Sequence, residues 1–326
     1  MKIILAPMEG LVDHLMREIL TQLGGFDQCV TEFIRVNDQL LPSRVFYRLC
    51  PELKQQGKTM AGTPVIVQLL GGKPEPLAAN AAIAAKLGAP GIDLNFGCPA
   101  KTVNRHDGGA VLLKQPQRLF DIVNAVRKAV PDHIPVTAKM RLGFDDKTLA
   151  LENAQAIEAA GANGLTVHAR TKVEGYRPPA HWEWIAKICD VTTIPVTANG
   201  EVWSVADYQR CKEVSDCENV MIGRGAIRTP DLALQIQKHN QSLDYFPKKW
   251  HEIEALLLKF FDMIQPHMQE RYVCNRMKQW VSLLIHGYPE AQGIFNQIKK
   301  MKSAHAIQQT IRTKTMQRTL PYKPLI

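Results

Sequence analysis

The sequence alternates short runs rich in β-branched residues with amphipathic helical stretches, eight times over before residue 240. This alternation is typical of repeated βα units, in which parallel strands are covered by helices. Eight units predict an α/β fold of the (β/α)8 TIM barrel type. An open doubly wound sheet is the alternative, but the Gly-x-Gly-x-x-Gly motif of dinucleotide-binding folds does not follow the first strand. The predicted strands are residues 3–8, 29–33, 65–69, 91–95, 136–140, 165–168, 196–199 and 220–223.

The strand pattern stops after about residue 240. Helical periodicity takes over in residues 253–268, 273–285, 291–301 and 304–318, which predicts a small all-helical bundle. We therefore expect two domains, a catalytic barrel of residues 1–242 and a helical domain of residues 243–326.

Composition limits the class of protein. With 326 residues, 45% of them hydrophobic and 22% charged, the chain can bury a large core. The apolar run at its start is too short for a signal peptide, and no stretch is long enough to cross a bilayer. Seven Cys residues form no Cys-x-x-Cys pair, which argues against a disulfide framework or a structural zinc site. We expect a cytoplasmic protein that binds neither membranes nor metals.

The formal charge of +9 is unevenly distributed. Residues 1–240 carry 27 Lys and Arg against 25 Asp and Glu, whereas residues 241–326 carry 13 against 6. The C-terminal excess of +7 fits either a solvated helical surface or a polyanionic partner such as nucleic acid, from which clustered Lys and Arg release counterions.

Polar or glycine residues stand at nearly every strand end that would form the active face of a barrel. On the fifth strand, Lys139 and Arg141 alternate with apolar residues and so face the mouth. A lysine placed there needs an anionic partner or ligand, and a salt bridge to Glu9 or Glu201 is the structural alternative. The full set of strand-end residues is Glu9, Glu32, Gln68, Asn95, Lys139, Arg141, His168, Asn199-Gly200-Glu201 and Gly223-Arg224-Gly225.

The last two of these strand ends are glycine-bearing turns, each followed by a helical stretch. Barrels bind phosphate at this place, where backbone N–H groups and a side chain such as Arg224 suit a dianion. Either turn alone could be only a tight turn. Together they predict a phosphorylated cofactor or substrate.

The fourth predicted strand leads into a reactive thiol. Asp93 and Asn95 share one strand face, and Asn95 points toward the position of Cys98. Gly97 removes bulk beside Cys98, and the Gly108-Gly109 pair lets main chain approach a ligand or phosphate closely. This predicts a presented thiol; a small apolar Cys packed in an ordinary loop is the alternative. After the sixth strand, residues 173–182 predict a semi-rigid loop over the mouth.

The barrel region resembles the tRNA-dihydrouridine synthase family. Five motifs occur in the order of the family and at its strand ends. They are Ala6-Pro7-Met8-Glu9-Gly10 with Asp13 and Arg17, Gly97-Cys98-Pro99, Lys139-Met140-Arg141-Leu142-Gly143, His168-Ala169-Arg170-Thr171 and Asn199-Gly200. Val12, Met16 and Arg177-Pro178-Pro179 depart from the usual pattern, which we expect to alter packing or substrate approach without removing the flavin.

The resemblance implies a flavin-binding barrel followed by a helical domain, with FMN as cofactor and NADPH as reductant. Hydride would pass from the flavin to C6 of a uracil, and Cys98 would give the proton to C5. The implied FMN-binding residues are Pro7, Met8, Glu9, Gln68, Lys139, His168, Asn199, Gly200, Glu201, Gly223 and Arg224.

The resemblance also implies a tRNA substrate whose target base leaves the stack to reach the flavin. Residues 272–280 look most like the C-type branch found in bacteria, which implies uridine 16 of the D-loop. We expect a monomer. Asn95, Arg141 and Tyr176 would contact the base region, and the expected tRNA contacts elsewhere are Arg35, Arg271, Tyr272, Cys274, Arg276, Lys278, Lys299, Lys300 and Lys302.

Three other functions compete. A flavin barrel that reduces a small metabolite, similar to dihydroorotate dehydrogenases, would not need the basic tail. An aldolase-like barrel would use Lys139 as a Schiff-base lysine without flavin. An RNA-binding module without chemistry would not need the polar rim of strand ends.

Overall fold

The structure is a computed structural model that describes residues 1–319, with side chains through Arg312. The chain forms two compact units, which divide after Gly223. This division comes before residue 242, the predicted end of the barrel domain. The reason is that the short helix α9 (Arg224–Arg228) packs against helix α12 (Glu270–Leu284) of the second unit.

The first unit is a closed barrel of parallel strands. β1 pairs with both β2 and β9, and β2 also pairs with β4, so the ring closes through eight strands. The predicted (β/α)8 barrel is confirmed. The strands of the described residues are β1 (Ile3–Leu5), β2 (Gln28–Val30), β3 (Ile34–Arg35), β4 (Val65–Leu70), β5 (Ile92–Phe96), β6 (Val136–Arg141), β7 (Gly164–His168), β8 (Val196–Asn199) and β9 (Asn219–Ile222).

The second predicted strand, residues 29–33, is interrupted in the structure. The N–H of Thr31 donates to the Ile66 carbonyl of β4. The next N–H of β4 that faces this segment, that of Gln68, donates to the Thr31 side-chain oxygen Oγ1 at 3.0 Å and not to a backbone carbonyl. The backbone therefore leaves the ladder after Val30. It pairs again as the two-residue strand β3, which lies against the end of β4 and is not one of the eight strands that close the barrel.

Strand register places the predicted polar residues in two adjacent rows at the carboxyl ends of the strands. Asn95 of β5 stands opposite Lys139 of β6, and His168 of β7 stands between Arg141 and Asn199. On β6 the alternate residues Val136, Ala138 and Met140 are fully buried. Alternation thus separates a packing face from a face that carries polar groups into the barrel.

Helices of the first unit follow the strands as in a βα barrel. Helix α1 begins at a cap, because Asp13 accepts a hydrogen bond from Met16 N–H at 2.9 Å. The helices of this unit are α1 (His14–Gln22), α2 (Ser43–Leu49), α3 (Pro74–Lys86), α4 (Lys101–Arg105), α5 (Pro116–Ala129), α6 (Ala150–Ala159), α7 (Trp182–Val191) and α8 (Val205–Ser215), with 3₁₀ turns at Pro51–Gln55 and Gly109–Lys114.

The second unit is all-helical in its described residues. Its core is built around Trp280, whose ring meets Phe260 edge-on at a centroid distance of 4.8 Å and whose Nε1 donates to the Ile227 carbonyl at 3.1 Å. No helix among residues 1–319 combines the length and apolar character needed to span a membrane. The helices are α9, α10 (Leu232–Asn240), α11 (Trp250–Ile264), α12, α13 (Ala291–Ile298) and α14 (Ala304–Thr319), with a 3₁₀ turn at Gln265–His267.

Candidate active site

Cys98 lies in a loop that is pinned at the carboxyl end of β5. The side-chain oxygen of Asn95 accepts hydrogen bonds from the N–H groups of Gly97 at 2.9 Å and Cys98 at 3.0 Å. The Cys98 carbonyl in turn accepts from Asn104 Nδ2 at 3.0 Å and from the N–H of Ala110 at 3.2 Å. The backbone on which the thiol stands is therefore held by hydrogen bonds on both sides.

Gly109 allows a second backbone segment to pack against this loop. Its φ of +67° is unfavourable for other residues, and a Cβ there would lie 2.9 Å from the Cys98 carbonyl oxygen and 3.0 Å from Cys98 Cβ. The sequence predicts that the Gly108-Gly109 pair lets main chain approach a ligand or phosphate. Within the described residues, the group that Gly109 approaches is Cys98.

The environment of Cys98 keeps its sulfur protonated. The residue is 8% exposed and packs with Leu70 and Val103, with Phe33 against the same cluster. Burial is the largest influence and raises the pKa of the thiol, and Glu9 acts in the same direction. A hydrogen bond from the Ala100 backbone and the charges of Arg141 and Arg35 oppose the rise without cancelling it. A thiol in this state carries a proton at neutral pH.

Lys139 is a half-buried cation next to Asn95 in the strand register. Its pKa is lowered to about 8, chiefly by burial and also by the charge of Arg141, while Asp93 opposes the shift. No hydrogen bond or ion pair joins its amine to any residue within 1–319. The alternative of a salt bridge to Glu9 or Glu201 is therefore wrong for the described residues.

Arg141 ties the thiol loop to the segment after β7. It is buried, and its guanidinium donates to the carbonyl of Gly97 at 2.8 Å, of Thr171 at 3.0 Å and of Gly175 at 2.9 Å. It also lies 5.2 Å from the centre of the Tyr176 ring. Burial lowers the pKa of this group, and its contact with Tyr176 opposes the shift. Arg141 thus positions two loops at the mouth of the barrel.

Two further predicted residues border the mouth. Tyr176 is 53% exposed, and its ring meets His168 edge-on at 5.9 Å. Arg35 is exposed and donates to the Thr102 carbonyl at 3.4 Å, in the helix that follows the thiol loop. The structure therefore brings Tyr176 close to His168 and Arg141, and Arg35 close to the segment after Cys98.

The segment between β7 and α7 is fixed by Glu174. Its carboxylate accepts from the Thr171 N–H at 2.6 Å, Lys147 at 3.1 Å and His181 at 3.0 Å. Burial acts to raise the pKa of Glu174, but the Thr171 N–H and Lys147 outweigh it and lower the pKa to about 2. The loop that presents Tyr176 is thus anchored by a carboxylate that is ionised at neutral pH.

At the end of β8, the predicted phosphate turn is stabilised by neighbouring side chains. Asn199 donates to the Met221 carbonyl at 2.8 Å, and the Gly200 carbonyl accepts from Trp182 Nε1 at 3.0 Å. Glu201 forms a short ion pair with the fully buried Arg170. The structure thus ties the carboxylate of Glu201, predicted to bind FMN, to a buried cation.

The first strand ends in a turn that holds the other predicted cofactor contacts. Leu11 and Val12 N–H groups donate to the Met8 carbonyl at 3.1 and 2.9 Å, so the backbone turns directly after Pro7-Met8-Glu9. Glu9 itself is exposed, and Gln68 of β4 is fully buried. Gly223 ends the first unit after β9, and Arg224 follows it in the chain as the first residue of α9.

Four residues of the site lack a role in the sequence-based prediction, namely Asp93, Asn104, Arg170 and Glu174. Asp93 shares a strand face with Asn95, and Arg170 stands inside a recognised motif, so a signal existed for these two. Asn104 and Glu174 act on loop backbone, which has no sequence periodicity. Only the folded loops show their partners.

The predicted tRNA contacts of the second unit differ in exposure. Arg271 and Tyr272 are exposed and stack at 4.4 Å, and Lys299, Lys300 and Lys302 are also exposed. Cys274 is 2% exposed and its thiol donates to the Lys302 carbonyl, so this side chain packs inside the unit and does not face a partner. Arg276 donates to Gln279 at 2.7 Å, and Lys278 makes a short bond to the Met301 carbonyl.

Comparison with known proteins identifies close relatives. A family model described as dihydrouridine synthase (Dus) matches residues 4–319. The tRNA-dihydrouridine(16) synthase of Pseudomonas putida is 56% identical over 300 residues, covering 92% of this chain and 93% of that protein. The tRNA-dihydrouridine(16) synthase of Shewanella oneidensis is 50% identical over 307 residues, covering 94% and 96%.

Solved structures of more distant proteins share the fold. An old yellow enzyme homologue from Zymomonas mobilis superposes with a TM-score of 0.51 at 13% identity, covering 76% of this chain and 91% of that one. A 2-naphthoyl-CoA reductase gives a TM-score of 0.56 at 13% identity, covering 74% and 50%. At this level of identity the likeness concerns the barrel architecture.

Proposed function

This chain belongs to the dihydrouridine synthase family, and we propose that it reduces a uridine of tRNA, uridine 16 in the D-loop, to 5,6-dihydrouridine. The relatives named as tRNA-dihydrouridine(16) synthases support the target position, since they align over more than nine-tenths of the chain. We further propose FMN as the cofactor, NADPH as the reductant and a monomeric enzyme. The observation that carries the proposal is the position of Cys98 after the carboxyl end of β5, where its backbone N–H and carbonyl are both held by hydrogen bonds.

The residues at the mouth fit a flavin. Lys139 has no acceptor among the described residues, although it is half buried at the end of a barrel strand. A ring that becomes negatively charged on reduction would provide that acceptor and stabilise the cation. Pro7, Met8, Glu9, Gln68 and His168 would hold the ring, and the turns with Asn199, Gly200, Glu201, Gly223 and Arg224 would hold the phosphate. When bound and reduced, FMN supplies the hydride that adds to C6 of the uracil.

Cys98 supplies the proton that C5 requires. Because burial raises the pKa of the thiol, the sulfur holds its proton at neutral pH and can act as a general acid. Asn95 accepts hydrogen bonds from the N–H groups of both Gly97 and Cys98, and this fixes the backbone conformation from which the thiol extends. The nearby cations Arg141 and Arg35 favour the thiolate that remains after transfer.

The target base must leave the stacked RNA to reach this depth. Asn95 uses one amide hydrogen on Gln68, and the other hydrogen is suited to a carbonyl of the uracil edge. The exposed ring of Tyr176 offers a surface for stacking or edge contact with the base. Arg141 holds the loop that carries Tyr176, so it would act on the substrate indirectly.

Charge supports tRNA as the partner. Residues from Arg224 onward carry 16 Lys and Arg against 7 Asp and Glu, whereas residues 1–223 carry 24 of each. A unit with this excess attracts a polyanion, and a neutral barrel that reduced a small metabolite would have no use for it. Arg35, Arg271, Tyr272, Arg276 and Lys278 are the proposed contacts, together with Lys299, Lys300 and Lys302.

The decisive experiment is Cys98→Ala, assayed by mass spectrometry of tRNA for dihydrouridine at position 16. We expect turnover to fall by about a hundredfold or more, the usual contribution of a general acid, with the flavin absorption bands retained. Cys211→Ala is the matched control, since Cys211 is a buried thiol on α8 whose pKa is also raised. Wild-type turnover in Cys98→Ala would exclude Cys98 as the acid, and protein that never binds flavin would exclude the flavin mechanism.

A further inference from the structure

A row of side-chain hydrogen bonds runs across three neighbouring strands beneath the thiol loop. Thr137 Oγ1 donates to Asp93 Oδ1 at 2.6 Å, and Gln68 Nε2 donates to the other carboxylate oxygen, Oδ2, at 2.7 Å. Asn95 Nδ2 donates to Gln68 Oε1 at 2.8 Å. The row ends where Asn95 Oδ1 accepts from the backbone of the thiol loop. It therefore connects a buried carboxylate to the backbone N–H of Cys98.

The two ends of this row determine the orientation of the amides between them. Both oxygens of Asp93 accept hydrogen bonds, one from Thr137 and one from Gln68, so Gln68 turns its NH₂ group toward Asp93 and its oxygen toward Asn95. A backbone N–H only donates, so Asn95 must turn its oxygen toward the loop and its NH₂ group toward Gln68. Both requirements agree. Reversing either amide would bring two donors or two acceptors together.

The carboxylate itself has no solvent to satisfy it. Asp93 is 3% exposed, and its pKa is raised, because burial outweighs the opposing effects of Thr137, Gln68 and Lys139. Buried carboxyl oxygens that both accept hydrogen bonds hold their donors firmly, because an unsatisfied polar group at this depth is costly. Asp93 is thus a fixed acceptor from which the whole row is oriented.

We propose that Asp93 is a positioning residue for the proton donor, acting through Gln68 and Asn95 on the backbone that carries Cys98. The inference rests on the proposed function, in which Cys98 is the acid. It adds that the acid works only while Asp93 fixes both amides. The same orientation makes the remaining hydrogen of Asn95 Nδ2 a donor toward the substrate, so a reversed amide would present an oxygen to a uracil carbonyl and repel it.

The test compares Asp93→Leu with Asp93→Asn. Leucine has a similar shape but no hydrogen-bond acceptor, so Thr137 and Gln68 both lose the group to which they donate. Asparagine keeps one acceptor for Gln68, and the Thr137 hydroxyl can reverse and accept from its NH₂ group. We expect Asp93→Leu to lower kcat by about tenfold, the equivalent of one lost buried hydrogen bond, with KM for tRNA nearly unchanged. Asp93→Asn should restore most of the rate.

The second readout does not depend on the reaction. The rate of Cys98 alkylation by iodoacetamide, followed against pH by peptide mass spectrometry, reports the exposure and the pKa of the thiol. In Asp93→Leu we expect faster alkylation with a midpoint at lower pH, because a loosened loop exposes the sulfur. Thr166→Val is the matched control, since Thr166 is a buried hydroxyl on the adjacent strand β7 that lies outside the row.

A second pair of variants covers the case in which Asp93→Leu does not fold. Asn95→Asp places an acceptor opposite the Gln68 oxygen and should lower the melting temperature and loosen the thiol. In the double variant Asp93→Asn, Asn95→Asp the two hydrogen bonds of Gln68 reverse direction, while residue 95 still accepts from the loop backbone. Every bond then has a donor and an acceptor, and the melting temperature should recover.

The outcomes separate the two proposals. Unchanged alkylation and kcat in Asp93→Leu, or no recovery in the double variant, would overturn the role of Asp93. Wild-type turnover in Cys98→Ala would instead overturn the acid, while the alkylation data would still measure the positioning of the thiol. Loss of rate in Asp93→Asn equal to that in Asp93→Leu would mean that Asp93 acts through its charge on Lys139, which also contradicts the proposed positioning role.

Discussion

At the scale of the residue, the two reactive groups of the site are shifted in opposite senses by the same cause. Burial raises the pKa of the Cys98 thiol and lowers that of the Lys139 amine, because it disfavours the charged form of each. The thiol thereby keeps its proton at neutral pH, as the proposed role of a general acid requires. The lysine is kept close to losing its charge, so an anionic cofactor beside it would have a large effect.

Lys139 leads to a prediction for the pH dependence of FMN binding. In the protein without flavin its charge is present below about pH 8 and is lost as the pH rises through that value. The carbonyl oxygens of the flavin ring accept a stronger hydrogen bond from the charged ammonium than from the neutral amine, so we expect the Kd for FMN to increase by about tenfold between pH 7 and pH 9. Flavin fluorescence titrations would measure it. Lys139→Met should bind more weakly with a flat profile, and a wild-type Kd that stays constant to pH 9 would contradict the assignment.

At the scale of the element, the loop between β7 and α7 depends on one carboxylate. Glu174 holds the Thr171 backbone, Lys147 and His181, and its pKa of about 2 lies below the ordinary value of a glutamate. Its stabilising contribution is therefore complete at neutral pH and is lost only as the pH falls below about 4 toward 2. At neutral pH the carboxylate of Glu174 is therefore fully charged.

We expect Glu174→Gln to release this loop at neutral pH. The amide carries no charge to attract Lys147. Its NH₂ group replaces one carboxylate oxygen and cannot accept a hydrogen bond, so either the Thr171 N–H or Lys147 loses its acceptor. Limited trypsin digestion should then cut after Lys172 several times faster, with the cleavage site identified by mass spectrometry. Glu183→Gln is the control, because Glu183 is more exposed and contacts only His181 among the described residues. Equal digestion of the two variants would show that the loop is held by other contacts.

At the scale of the whole molecule, charge and chemistry belong to different parts of the chain. The barrel is neutral and holds the thiol, and the excess of nine positive charges belongs to the residues from Arg224 onward. Counting from the sequence assigned an excess of +7 to residues 241–326, and the division after Gly223 adds Arg224, Arg228 and Lys238 against Asp231. The separation predicts that tRNA affinity and catalysis can be changed independently.

The test is the salt dependence of tRNA binding in Lys299→Ala, Lys300→Ala. Both side chains are exposed, unlike Lys278, which is bonded to the Met301 carbonyl. Each lost phosphate contact should reduce the slope of log K against log salt by about 0.7 to 0.9, with flavin content unchanged. Lys86→Ala, Lys128→Ala removes two exposed lysines from barrel helices and serves as the control. Equal slopes for both double variants would mean that the helical unit is only solvated surface.

Local sequence pattern determined the elements of this protein. β-Rich runs between helical stretches located the eight barrel strands within a few residues, and so set His168 and Asn199 at strand ends. Period-two alternation placed Asn95 and Lys139 on the polar faces of their strands, because side-chain direction follows from backbone geometry alone. Counting charges found the basic C-terminal region, because the net charge of a segment depends only on its composition. Five motifs in order along the barrel region identified the family, which the match over residues 4–319 confirms.

Only the tertiary structure decided which polar groups are partners. Glu201 pairs with Arg170 and not with Lys139, Gly109 packs on Cys98, Cys274 is buried, and Asp93 connects to Cys98 through Gln68 and Asn95. These contacts join residues from different strands and loops, and their pairing depends on distances of a few ångströms that barrel closure and strand register set. A sequence specifies what each side chain can donate or accept, but the fold determines which donor meets which acceptor.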